Sequence, residues 1–312
     1  MTSAPRPLDG VKVVEFSHMV MGPTCGLILA DLGADVVKVE PASGGDNTRY
    51  LPGSGSGIFG TYNRNKRSVS VNLKSPEGLE FASRLVRESD VLIENFSAGV
   101  LERLGLGYEA MQKANPRLVY CALKGFLSGP YEQRVALDEV VQMMGGLAYM
   151  TGPEGRPLRA GASVNDVMGG LFGVVAIQAA LWERQRTGKG TFVRSGLFEN
   201  NMFLVAQHML QYRQTGVPAV PMPERKSAWA IYDVFETADD ENIFVGVVSD
   251  KQWTQFCNAF DLDDLLQNED LHRQAILGRR RHFLNVHLDR CFTGNIDHQC
   301  IRIPHLGTDG CG

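Results

Sequence analysis

The sequence predicts an α/β protein: a large domain built on a mostly parallel sheet covered on both faces, then a smaller α+β domain. Three observations carry this expectation. Short β-branched runs alternate with helix-length segments from Val11 to Leu123, the pattern of strands joined by crossover helices. Longer helical segments dominate after that. Val217 to Arg225 then carries Pro218, Pro221 and Pro223, a linker composition, and a hairpin pattern follows it.

Val11 to Phe16 reads as a buried strand, Pro23 to Leu32 as a helix rich in small residues stopped by Gly33, and Asp35 to Glu40 as a second strand. Together they form a βαβ unit. Ser75-Pro76-Glu77 has helix-start chemistry, a capping hydroxyl, a proline in the first turn and then an acid, with the helix running to about Glu88. Val91 to Phe96 is the next strand, Val100 to Leu104 and Tyr108 to Ala114 are short helices, and Leu118 to Leu123 is a further strand. Asp138 to Met150, Val167 to Arg186 and Leu197 to about Arg213 read as helices, with a short strand near Thr191 to Arg194. Beyond the linker, Ala228 to Glu236 and Asn242 to Val248 flank Asp239-Asp240-Glu241 as a β-hairpin. This organisation gives a large domain over 1–216, a partial small domain over 217–270 and a tail over 271–312 of different texture. That tail holds five of the seven histidines, three of the six cysteines and the run Arg279-Arg280-Arg281. Its lack of periodicity reads as a shifted reading frame or an altered C-terminus.

A formal net charge of −4 argues against nucleic acid or an anionic membrane as the main partner. Apolar runs read as too short for a membrane span. Met1 to Leu8 lacks a signal-peptide core, and six cysteines without framework spacing fit a reducing compartment. Both point to the cytoplasm. Cys291, Cys300, His305 and Cys311 lack the close pairing of zinc ligands, so no metal site is expected.

Gly55-Ser56-Gly57-Ile58-Phe59-Gly60 matches G-x-G-x-x-G but follows a turn-rich segment rather than a strand, so it reads as a flexible loop. Glu40 ends the second strand, where a ribose-binding acid could sit. Lys66, Arg67, Lys74, Arg103 and Lys124 fall in or beside turns around the sheet. Singly they read as solvated surface charges; together they could form a phosphate site. His18 follows the first strand, where α/β enzymes commonly bind ligands, and a structural histidine is an equal reading. Asp166 closes the stretch Arg159 to Asp166 and precedes an apolar run from Val167 to Trp182. It is either a helix N-cap, worth about 1 kcal/mol, or a carboxylate held for chemistry, and the two readings are compatible.

Several segments together resemble the family III CoA-transferases, the group that includes formyl-CoA:oxalate transferase and the carnitine and bile-acid CoA-transferases. These are Leu8 to Phe16, Gly22-Pro23, Leu32 to Pro41, Asn63 to Ser68 with Asn72-Leu73-Lys74, and Glu94-Asn95-Phe96 with Gly99 to Gly107. Lys124-Gly125-Phe126, Ser128-Gly129-Pro130 and Thr187-Gly188-Lys189-Gly190 complete the ordered set. The resemblance weakens through the small domain and ends before the tail. It implies a Rossmann-like large domain, with Asp166 on the family's nucleophilic aspartate. Val71, Lys74, Asn95, Arg103 and Lys124 fall on positions that contact CoA, and part of the family pattern recurs at His18 and Met19. Val20 replaces the glutamine of formyl-CoA transferase and Phe126 its tyrosine, which argues against oxalate or formate. It further implies an interlocked homodimer closed by a C-terminal return segment, which the texture of 271–312 is read as lacking or altering.

The implied reaction uses coenzyme A, as an acyl-CoA co-substrate such as succinyl-CoA, and a small carboxylic acid, a dicarboxylate or a branched C5 acid. An aspartate of ordinary pKa near 4 is ionised at pH 7 and needs no base. Its attack on a thioester, expelling a thiolate of pKa about 8.5, is uphill by roughly 6 kcal/mol, so the site must exclude water. The α-methylacyl-CoA racemases share this fold. They carry a histidine where this chain has Leu137 in Ala136-Leu137-Asp138-Glu139-Val140, which favours transfer over racemisation. A further alternative is an inactive chain that only binds CoA.

Overall fold

The structure, a computed structural model, describes residues 5–225, 229, 231–236 and 241–267. The chain divides at Glu224/Arg225 into two compact units. The expectations for 271–312 lie outside the described residues.

The first unit opens with β1 (Lys12–Phe16), α1 (Met21–Asp31), β2 (Asp35–Pro41), α2 (Ile58–Asn63), β3 (Arg67–Val71) and α3 (Pro76–Arg87). It continues with β4 (Val91–Glu94), α4 (Val100–Arg103), α5 (Tyr108–Ala114), β5 (Val119–Lys124), α6 (Asp138–Met144) and α7 (Leu147–Thr151). α8 (Val164–Thr187), β6 (Phe192–Gly196) and α9 (Leu197–Thr215) complete it. The six strands form one parallel sheet in the order β3-β2-β1-β4-β5-β6, the Rossmann-like α/β arrangement. Successive residues point to opposite faces of a strand, so Val13, Ile93 and Cys121 join one core with Leu29 of α1 and Ile177 of α8. Val14, Leu92 and Tyr120 join the other with Val86 of α3 and Met111 of α5.

Several elements differ from the expectation. β3 went unrecognised because Arg67-Ser68-Val69-Ser70-Val71 alternates polar and apolar residues at the sheet edge, where only one side is paired. Gly55 to Gly60 is not a flexible loop. It runs through a short 3-10 turn, Gly53–Gly55, into α2, with no strand leading into it. The helix read over Asp138–Met150 is two: Gly146 takes φ 84°, and a side chain at Gly145 would overlap Asn201 of α9. The apolar run in α8 does reach a membrane-spanning length of 24 residues. One face of it, with Gly173, Val174, Ile177, Ala180 and Leu181, packs in the core, while Leu171, Phe172, Val175 and Trp182 are exposed.

Lys66 and Arg67 are not free surface cations. Lys66 is buried against Glu15, with Nζ 2.8 Å from Oε2, and burial lowers its pKa against the pull of Glu15. Arg67 pairs with Asp35. Glu40 is engaged by Arg49 and Ser68 and held low, to about 2, by those partners against the effect of burial. It is therefore not open for a ribose. Lys38, also buried, lies 3.0 Å from Asp46 Oδ2 and donates to the Ser17 carbonyl at 2.7 Å.

The second unit holds β7 (Tyr232–Glu236) and β8 (Asn242–Gly246), an antiparallel pair, then α10 (Asp250–Ala259) and α11 (Asp263–Leu266). Ser249 accepts from Gln252 N–H at the head of α10. Ile231, Val247, Trp253, Phe256, Cys257 and Leu265 form its core.

Candidate active site

The site residues gather at one edge of the sheet because parallel strands all end there. The strand order reverses between β1 and β4, and such a reversal opens a crevice beyond the carboxyl ends of the two strands. His18 and Met19 follow β1, Asn95 follows β4, Val71 ends β3 and Lys74 lies in the turn after it, Arg103 ends α4, and Lys124 ends β5. α1 and α8 are crossover helices that run back against the strands, so both begin at this edge.

Asn95 ties the two sides of the crevice. Its Oδ1 accepts from His18 N–H at 3.0 Å, and its Nδ2 donates to the His18 carbonyl at 2.8 Å. The His18 ring stacks on Phe96 at 5.7 Å; partial burial there lowers its pKa, opposed by Asp46. Met19 sits at φ 63° and is 40% exposed, a left-handed conformation uncommon for a side chain of this size. Lys38 supports the same turn through the Ser17 carbonyl.

Lys124 Nζ lies 2.6 Å from Glu94 Oε1 and donates to the Phe96 carbonyl at 2.7 Å. Burial raises the pKa of Glu94 even against that cation. Lys74 and Arg103 are exposed. Val71 packs its side chain into the core below. The structure thus brings all seven residues to one edge, while Lys66 and Arg67 of the proposed phosphate cluster are drawn into ion pairs elsewhere.

Asp166 occupies the first turn of α8, not its cap. The N-cap position is Ser163, whose side chain makes no capping bond. The open N–H groups are met by Asp138, a residue 2% exposed. Its Oδ2 accepts from Asn165 N–H at 2.8 Å and Asp166 N–H at 3.1 Å. Its Oδ1 accepts from Gln142 Nε2, and Gln142 Oε1 accepts from Ala160 N–H at 2.8 Å. Asn165 Nδ2 donates to Asn201 Oδ1 at 3.2 Å.

A glycine stripe sets α8 against α1. An added Cβ at Gly170 would lie 2.7 Å from Thr24 Cβ and 2.8 Å from the Met21 carbonyl, and one at Gly173 would lie 2.9 Å from Leu123. This register puts the first turn of α8 beside the start of α1 and the His18–Val20 turn.

The ordinary aspartate pKa expected for Asp166 does not hold. Burial pushes it up to about 7, helped by the negative charges of Asp138 and Glu139 and opposed by Arg159. Arg159 is itself paired with Glu139. The helix N-terminus favours the anion by about 0.3–1 kcal/mol, too little to offset desolvation together with two like charges. Asp138, Gln142 and Arg159 were not singled out in the sequence. The i, i+4 spacing of Asp138 and Gln142 was the available signal. Among the described residues no group of three or more His, Cys, Asp or Glu side chains is arranged to hold a metal ion.

Known proteins are similar along most of the chain. Residues 8–303 match the family described as CoA-transferase family III. The succinate–glutarate CoA-transferase of Agrobacterium fabrum is 37% identical over 284 residues, covering 86% of this chain and 71% of that protein. The human succinyl-CoA:glutarate CoA-transferase is 34% identical over 269 residues, and the match spans 84% of this chain and 61% of the human protein's length. A crystal structure of a CAIB/BAIF family protein from Brucella suis superposes with a TM-score of 0.79 at 34% identity, covering 93% of this chain and 79% of that one.

Proposed function

The chain belongs to CoA-transferase family III, and on that premise we propose that it moves CoA from an acyl-CoA donor to a small carboxylic acid through an aspartyl-CoA thioester on Asp166. One observation carries the reading. A partly buried carboxylate stands at the head of a core helix, at the sheet edge where His18, Asn95, Lys74, Arg103 and Lys124 also converge.

The chemistry balances without an external acid or base. An Asp166 oxygen attacks the thioester carbon, and the tetrahedral intermediate expels the CoA thiolate, leaving an acyl–aspartyl anhydride. The thiolate attacks the aspartyl carbonyl and releases the donor acid. The acceptor carboxylate attacks the aspartyl-CoA thioester, the thiolate leaves, and it then attacks the acceptor's acyl carbon and frees Asp166. Backbone N–H groups of the glycine-bearing loops at this edge would stabilise each oxyanion. A pKa of about 7 places Asp166 about 1.5 units below a thiolate of about 8.5, so anhydride formation is uphill by roughly 2 kcal/mol rather than 6.

His18, Met19, Val71, Lys74, Asn95, Arg103 and Lys124 are proposed to bind CoA, with Lys74 and Arg103 as exposed cations suited to phosphates. The acceptor is proposed to be a dicarboxylate. Arg159 is the cation that opposes the rise of Asp166's pKa, and it suits a second carboxylate; the relatives named for glutarate support the same class. A homodimer and a cytoplasmic location belong to the proposal. Exposed Leu171, Phe172, Val175 and Trp182 on α8, and Phe203, Met209 and Leu210 on α9, support a second copy as partner.

The test is incubation with succinyl-CoA and a panel of acids, followed by borohydride reduction and peptide mass analysis. CoA transfer, a reduced Asp166, and a loss of at least about 10³-fold in Asp166→Ala are expected. A fully active Asp166→Ala refutes the reading. Exchange of the α-proton without CoA transfer would instead support racemisation.

A further inference from the structure

We propose that Asp138 is a positioning residue for this reaction: its buried carboxylate holds the backbone at the head of α8 and keeps a fixed negative charge beside Asp166. The inference rests on the nucleophilic reading of Asp166.

The geometry is specific. One Asp138 oxygen accepts from the N–H groups of both Asn165 and Asp166, the donors at the second and third positions of α8. The other accepts from Gln142 Nε2, and Gln142 in turn holds Ala160 N–H. The pair therefore clamps both the first turn of α8 and the glycine-bearing loop that leads into it. Those hydrogen-bond partners all donate. A proton on Asp138 would find no acceptor among them, so the donor set suits the ionised form. The local side chain at the cap position, Ser163, makes no capping bond, so the long-range carboxylate replaces it.

The consequence is electrostatic as well as geometric. From α6, Asp138 and Glu139 face Asp166, and from the preceding loop Arg159 does. Glu139 is paired with Arg159, which leaves Asp138 as the uncompensated charge. α1 turns Met21, and α9 turns Asn200 and Asn201, toward the first turns of α8, and none is charged. Ser195 at the end of β6 is engaged by Asn200, Glu199 is turned to Leu127 N–H, and β5 meets α8 further along, at Gly173. A neighbouring negative charge makes a carboxylate more basic. At a pKa of about 7 the disadvantage of Asp166 against a thiolate of about 8.5 is roughly 30-fold, where an ordinary aspartate would face more than 10⁴-fold. The compensating loss is an enzyme partly protonated, hence slow, below neutral pH.

The test measures kcat/KM for CoA transfer from pH 5.5 to 9 in the full chain, because its acid limb reports the free enzyme's ionisation. Asp138→Asn keeps an oxygen for the two N–H groups but removes the charge. Its acid limb is expected to move down by about one unit, with a lower rate on the plateau. Asp138→Glu keeps the charge but moves the acceptor: its acid limb stays near wild type while kcat falls, and it decides the matter if the Asn variant does not fold. An Asp138→Asn limb within about 0.3 units of wild type, or Asp138→Glu with unchanged kcat, overturns the role of Asp138. If wild type yields no borohydride-reduced Asp166, the nucleophilic reading itself fails; a reduced Asp166 with an unmoved acid limb refutes Asp138 alone.

Discussion

Replacing Asp166 with asparagine should stabilise the protein at alkaline pH and leave it unchanged at acid pH. The carboxyl stands at about 7 in the folded chain against 3.8 for an ordinary aspartate. A raised folded pKa means that the folded state binds the proton more tightly than the unfolded state. The stability this confers is complete below pH 3.8 and is lost as pH rises through about 7. At about 1.4 kcal/mol per pH unit the gap corresponds to about 4 kcal/mol. Asp166 keeps some solvent contact, and screening reduces the expected value to about 2 kcal/mol. Asparagine carries no charge in either state, so its advantage over wild type should grow from near zero at pH 4 to about 2 kcal/mol at pH 8.5. Urea unfolding followed by far-UV circular dichroism across that range measures the difference. A difference that does not change with pH, or an Asp166→Asn variant less stable than wild type at pH 8.5, would refute the claim that burial and Asp138 hold this carboxyl against ionisation. The same substitution should abolish CoA transfer, so stability and activity would move in opposite directions, as expected where a site carries electrostatic strain.

Two further substitutions test the scaffold. Lys66→Met leaves the buried Glu15 carboxylate with the Ser17 hydroxyl and a single cation, Lys38, 3.4 Å away, and should cost about 3–5 kcal/mol in urea unfolding; adding Glu15→Gln should recover part of the loss, and an effect below about 1 kcal/mol would show the pair to be solvated. Gly170→Ala forces α8 off Thr24 and the Met21 carbonyl and should cost about 1–3 kcal/mol, whereas Gly161→Ala, with open space around it, should stay within about 0.5 kcal/mol; equal effects at the two positions would deny the close approach of α1 and α8.

Local pattern suffices for the buried strands and for the start of α3. β1, β2, β4 and β5 are short, largely buried runs, rich in Val or Ile in the first three, and Ser75-Pro76-Glu77 does start α3, with Ser75 Oγ accepting from Gly78 N–H. Both signals are contained within a few residues. β3 escaped because an edge strand needs only one buried face. The break at Gly145-Gly146 escaped because it depends on Asn201, which is far away in sequence. Lys66 looked like a surface cation for the same reason: its partner Glu15 lies 51 residues earlier.

The sequence by itself determined the α/β class and the family, and it offered Asp166 as the candidate nucleophile, because strand periodicity and ordered short motifs are properties of neighbouring residues. Only the tertiary structure decided what Asp166 is. Burial is set by whatever packs around the head of α8, and the charges that act there come from Asp138 and Glu139, more than twenty residues upstream. Solvation and Coulomb interaction depend on distance in space, so a carboxylate that looks like an ordinary ionised helix cap becomes, once folded, one whose pKa is pushed up by burial and by neighbouring acids.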